Sequence, residues 1–149
     1  MILVYMDACC LNRPFDDQTQ PRVHLEAEAI LIVLERIQNG EWEWLGSTAL
    51  DFEIRQTADA ERRSRMELIA ETATRRILVG AQQEERAREL QNLGFAALDA
   101  LHLACAESGN ADFFLTTDDR LLRAAARLQK QLHIPVRNPL VLIEEVSQT

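Results

Sequence analysis

The run AALDALHLACAE at 96–107 is apolar almost all the way round a helix, yet it carries Asp99 and His102 and no Lys or Arg. A helix apolar on every side is normally buried. A buried carboxylate must be paired, hydrogen-bonded, protonated or bound to a metal, and no ion pair is available on this helix. His102, three residues on, shares a face with Asp99 and reads best as a satisfied core histidine. Two more acids close apolar runs: ILVYM leads into Asp7, and FFLTT leads into Asp118 and Asp119. If both runs are strands of a parallel sheet, these acids lie beyond the carboxyl ends, where such sheets bind ligands. Asp118 would equally suit the N-cap of the helix that follows.

Glu53 lies on a helix that follows a short strand-like run at 42–46, beside Ala49 and Leu50. Asp51 competes with it but projects to another side. Asp7, Glu53, Asp99 and Asp118 therefore form the candidate centre, as catalytic residues and as metal ligands together. Grouped carboxylates raise one another's pKa values, and a divalent cation reverses that penalty. An all-oxygen donor set favours Mg²⁺ or Mn²⁺ over zinc. Such an ion can activate water and stabilise the charge of an in-line phosphoryl displacement.

The elements that must position these acids alternate. Strands are expected at 2–6, 42–46, 76–79, 113–116 and 134–136. Helices are expected from Pro21 to Ile37, where Asn39-Gly40 ends the pattern, then from Ser47 or Thr48, and at 59–74, 82–93, 96–107, 118–132 and 140–146. Residues 12–21, with Pro14, Asp16, Asp17 and Pro21, read as a loop. Such alternation implies βαβ units: an α/β fold with a mainly parallel central sheet flanked by helices on both faces. At 149 residues, with no repeat, linker or low-complexity stretch, the expectation is one domain over 1–149.

Composition narrows the function classes. No apolar run approaches the ~20 residues of a membrane-spanning helix, and Ile2–Met6 is too short for a signal-peptide core, so the expected location is the cytoplasm. Cys9, Cys10 and Cys105 have neither disulfide nor zinc spacing and read as small buried residues. The net charge of −8 argues against broad electrostatic capture of nucleic acid. The basic residues are nevertheless lopsided, fifteen Arg against one Lys, Lys130. Six Arg fall within 55–76 with only Asp59, Glu61, Glu67 and Glu71 beside them, so this segment, with Arg62 and Arg63, is locally positive and suited to phosphate contact. A phosphoacceptor receiver needs a Lys near its last strand, and a haloacid-dehalogenase-type hydrolase needs DxD where this chain has Asp7-Ala8-Cys9. Neither GxxxxGK[ST] nor GxGxxG occurs, which removes the common nucleotide-binding folds.

In order along the chain, VYMDACCLNRPF, STALDFE, LDALHLACA, FFLTTDDRLL and RNPLVLIEE resemble the PIN-domain family of ribonucleases, with 19 positions from Asp99 to Asp118. The resemblance implies the parallel-sheet fold above and places the family's four acids on Asp7, Glu53, Asp99 and Asp118. It sets Thr116 as the hydroxyl that orients the last acid, with Asp119 a competitor for Asp118. It further implies Mg²⁺- or Mn²⁺-dependent endonucleolytic cleavage of single-stranded RNA by water. Stand-alone bacterial members of this size resemble VapC-type toxins held by an antitoxin protein. A basic antitoxin side chain reaching the carboxylates is the expected means of restraint, and a two-fold homodimer the expected assembly. The rival from another class is a PIN-like module that binds RNA or protein without cutting.

Overall fold

The computed structural model describes residues 1–147. Five strands, β1 (Ile2–Met6), β2 (Trp42–Ser47), β3 (Arg75–Ile77), β4 (Phe113–Leu115) and β5 (Val136–Arg137), form one sheet in the order β3-β2-β1-β4-β5, and every pairing is parallel. Strand β1 is central, which explains its uninterrupted apolar run: a strand covered on both faces has no polar side. The edge strands are short and carry Arg75, Arg76 and Arg137, charges that blunt an exposed edge.

Helices α1 (Ala8–Asn12), α2 (Pro21–Gln38), α3 (Thr48–Arg55), α4 (Ala60–Ala70), α5 (Ala81–Leu93), α6 (Ala97–Ser108), α7 (Asp119–Arg127) and α8 (Pro139–Ser147) cover the sheet. Alternation along β1 splits the core in two. Leu3 and Tyr5 pack with α5, α6 and α7 on one face; Val4 and Met6 pack with α1, α2, α4 and α8 on the other. Helix α6 is the most deeply set, with Ala100, His102, Leu103, Ala104, Cys105 and Ala106 all buried. Among the described residues no helix is long and apolar enough to cross a membrane.

Several boundaries differ from the sequence reading, each for a local reason. Helix α1, where no element was expected, and a 3₁₀ turn at Arg13–Phe15 take only the first residues of the expected loop, because Asp7 caps the first turn and Pro14 suits the second. The helix expected over 59–74 stops at Ala70, and Thr74 instead bonds the Trp44 backbone, which starts β3 one residue early. The helix expected over 118–132 ends at Arg127, and Gln129–Gln131 tightens into a 3₁₀ turn. The last strand falls at Val136–Arg137 rather than 134–136. Gly94, at φ 118°, ends α5 in the left-handed conformation that suits glycine.

Candidate active site

All strands run the same way, so the carboxyl ends of β1, β2 and β4 share one edge, and each delivers part of the site. Asp7 follows β1 directly. It is 4% exposed, and its carboxylate accepts the Cys10 N–H at 3.2 Å as the N-cap of α1. Burial pushes its pKa up to about 6, against a hydrogen bond from Thr116 and the nearby His102 ring, which pull it down. Asp118 follows β4 and caps α7, accepting the Arg120 N–H at 2.9 Å. Thr116 ties the two together: its hydroxyl bonds the Asp7 carboxylate and accepts the Asp118 N–H at 3.1 Å.

Asp99 stands in the first turn of α6, half-buried, where the helix dipole favours negative charge. It accepts no hydrogen bond and meets no basic side chain in an ion pair among the described residues. Its pKa is raised by burial first, then by Asp118, with Glu53 adding and His102 opposing.

Glu53, on α3, is reached through a buried chain of hydrogen bonds. The Leu50 N–H donates to Ser47 Oγ at 3.0 Å; Ser47 Oγ and Tyr5 OH lie 2.7 Å apart; Tyr5 OH and His102 Nδ1, 2.6 Å; His102 Nε2 and Glu53 Oε1, 3.0 Å. Glu53 accepts from Nε2–H, and the Tyr5 hydroxyl joins Nδ1 to Ser47 Oγ. Burial raises the Tyr5 phenol well above its ordinary range, so it remains a donor. His102, 1% exposed, is thus more than a satisfied core residue: it fixes a carboxylate of the site.

Cys9 departs from the expectation of three buried cysteines. Cys10 and Cys105 are buried, but Cys9 is exposed, and all three are free. Its thiol pKa is pushed up by partial burial first, then by Asp7, Asp118, Glu53 and Asp99 in turn. All four acids lie within electrostatic reach of this one side chain.

The competing acids point elsewhere. Asp119 is clasped by Arg22 through two bonds of 2.8 and 2.6 Å and is held below the usual carboxylate range by that pair. Asp51 pairs with Arg76. The arginines expected to meet RNA are also committed: Arg62 binds Asn12, Asp16 and the Phe15 carbonyl, and Arg63 binds the Thr57 carbonyl. They lock α4 to the turn after α1 and to the end of α3.

Four acids without a guanidinium or ammonium partner, all oxygen donors, suit a hard divalent cation. Among the described residues no group of three or more Asp, Glu, His or Cys side chains is placed to hold a metal ion.

A family model described as PIN domain matches residues 4–127. No curated protein matches the chain. Among solved structures, a chain of VapBC2 from Rickettsia felis, crystallised bound to a DNA fragment from its promoter, superposes with a TM-score of 0.54 at 14% identity. The match covers 93% of this chain and 98% of that one. At that identity the likeness speaks for the fold.

Proposed function

The chain belongs to the PIN domain family, and from that premise we propose that it is a Mg²⁺- or Mn²⁺-dependent endoribonuclease acting on single-stranded RNA. The observation that carries the reading is the cluster Asp7, Glu53, Asp99 and Asp118: four carboxylates from four elements, none matched by an Arg or Lys. The reading treats residues 1–149 as one nuclease domain working in the cytoplasm.

The four acids would hold the cation. When bound, it supplies Lewis acidity and a water acidified enough to attack phosphorus. The chain's own residues prepare for this. Thr116 sets Asp7 and Asp118 against each other. The Ser47–Tyr5–His102 chain holds one carboxylate oxygen of Glu53. Asp99 and Asp118 repel each other until a positive charge arrives.

The reading extends to the toxin of a toxin–antitoxin pair, because the VapBC2 structure is of a two-component assembly. An antitoxin protein with a basic side chain suited to the acid cluster would restrain it, and a two-fold homodimer is the proposed assembly. One experiment addresses both levels. The chain is expressed alone and together with any small protein encoded directly upstream of it, as wild type and as Asp99→Asn, and the purified proteins are assayed on RNA in Mn²⁺. Growth arrest relieved by the neighbour is expected, with Asp99→Asn harmless and slower by about 10²-fold or more, since metal stabilisation is worth several kcal/mol. An Asp99→Asn protein that cuts as fast as wild type would overturn the assignment of the site.

A further inference from the structure

The acid edge needs a route for a polyanion, and in the segment expected to supply one every arginine but Arg55 is held by a structural contact. Helix α7 offers another. It begins beside Asp118 and runs DRLLRAAAR, then Leu128 and the turn Gln129–Gln131. Leu121 and Ala125 are buried against the sheet. Arg120, Arg123 and Arg127, spaced by three and four, fall on the opposite face and are exposed, and exposed Lys130 follows them. Between 119 and 130 there are four basic residues and one acid, Asp119, which Arg22 already holds. None of Arg120, Arg123, Arg127 and Lys130 makes an ion pair or side-chain hydrogen bond among the described residues.

Arg36, Arg55, Arg63 and Arg88 also form no ion pair among the described residues, so what sets α7 apart is that three such arginines share one exposed helix face. Of the other arginines, most are paired: Arg13 and Arg22 with Glu26, Arg62 with Asp16, Arg65 with Glu61, Arg75 with Glu43, Arg76 with Asp51, Arg86 with Glu107 and Arg137 with Glu145. An acidic protein could readily have matched the α7 row, and it has not. Beside the row, an open groove of about 560 Å³ between α7 and β5 is lined in part by Lys130, His133 and Arg137. Because β5 is parallel to β1 and β4, Arg137 lies on the same sheet edge as Asp7 and Asp118.

We propose that Arg120, Arg123 and Arg127 on α7 form a binding row for the phosphate backbone of single-stranded RNA, leading the strand to the carboxylate edge at Asp118. The inference rests on the nuclease reading for the identity of the ligand and deepens it with a path. The physical logic is division of labour. The site must stay acidic to hold its cation, so backbone attraction has to come from a neighbouring element. Guanidinium groups suit phosphate bidentately. The row spans about 10 Å at 1.5 Å per residue, room for a few phosphates.

The test separates binding from cutting. A fluorescein-labelled uridine dodecamer is titrated in EDTA, over a range of salt, with wild type, Arg120→Gln/Arg123→Gln/Arg127→Gln, Arg123→Gln alone, and Arg88→Gln as a control on exposed α5. Matching melting midpoints check the folding of each. The triple variant should bind about tenfold or more weaker, and its log K against log salt slope should flatten by about 2, at roughly 0.7 per phosphate contact on a single strand. Arg123→Gln should lie between, and Arg88→Gln should match wild type. A triple variant with wild-type affinity and slope overturns the row. So does a wild type that ignores the RNA but binds anionic phosphatidylglycerol vesicles or polyglutamate. Cleavage in Mn²⁺ is read separately. Loss of binding in the triple variant alongside a wild type that cannot cut refutes the nuclease reading and keeps the row; cutting with binding unchanged does the reverse.

Discussion

Asp7 and Glu26 are both buried carboxylates, at 4% and 1% exposure, and their surroundings are opposite. Glu26, on α2, accepts from Arg13 at 2.9 Å, from Arg22 at 3.3 Å and from the Asn138 amide. Arg22 passes on to Asp119, Arg13 to Asp16, and Arg62 closes the far end on Asp16. This charge is matched inside the chain, and the network joins α2, the turn after α1, α7 and the start of α8. Asp7 has a threonine hydroxyl, a backbone N–H and a histidine ring nearby, and no guanidinium. The first carboxylate is finished by the fold. The second awaits a charge from outside. Burial by itself therefore says little about function; the state of the counter-charge separates a structural acid from a metal-ligand candidate.

The largest expected effect breaks the matched region. Glu26→Ala leaves Arg13 and Arg22 facing a cavity. It should cost about 3 kcal/mol, the low end for a broken buried pair, because Arg22 keeps Asp119. Asp7→Asn preserves volume and can still cap α1. In EDTA it should unfold in urea at or above the wild-type midpoint while losing cleavage. Equal destabilisation by the two substitutions would erase the contrast, since Asp7 would then be held as firmly as Glu26.

The metal sharpens the same comparison at a smaller scale. A ligand bound only by the native state stabilises by RT ln(1 + [L]/Kd), about 2.7 kcal/mol at a hundredfold excess. Saturating Mn²⁺ should raise the midpoint of wild type and of Glu26→Gln alike, and leave Asp7→Asn and Asp118→Asn nearly unmoved. A shift that survives in Asp7→Asn, or vanishes in Glu26→Gln, would place the ion outside the proposed site.

How much of this could be read from the chain depends on how local each cause is. The central strand and α6 were legible, because full burial writes itself as uninterrupted apolar runs, and the acids were conspicuous as interruptions. The five-residue α1 was not, since it hangs on one side-chain cap from Asp7. What sets Asp119 apart from Asp118 is Arg22, 97 positions away. The role of His102 turns on Tyr5 and Glu53, 97 and 49 positions away. Arg62 read as a nucleic-acid contact, and only the fold brings it to Asp16 and the Phe15 carbonyl. In each case the residue type was visible and its partner was supplied by tertiary structure.

The smallest expected effect concerns protons. Without metal, burial raises the Asp7 pKa from 3.8 to about 6, and Asp99 moves the same way. The folded state then holds the proton more tightly than the unfolded chain. Its contribution is fully present below about pH 3.8 and is lost as pH rises through 6. Between pH 7 and pH 5 the metal-free protein should gain about 1 kcal/mol from Asp7, since one pKa unit corresponds to about 1.4 kcal/mol. Other groups titrate in the same window, so the quantity to measure is the wild-type stability minus that of Asp7→Asn, from urea unfolding in EDTA at each pH. That difference should rise as pH falls. Saturating Mn²⁺ should reverse the trend, because the ion binds the deprotonated carboxylates and its affinity falls with acidification. Glu26, matched by two arginines, should give no such reversal when Glu26→Gln is compared in the same way. A wild-type difference that stays flat from pH 7 to pH 5 would mean that Asp7 is already as well compensated as Glu26, and the two regions would no longer be distinct.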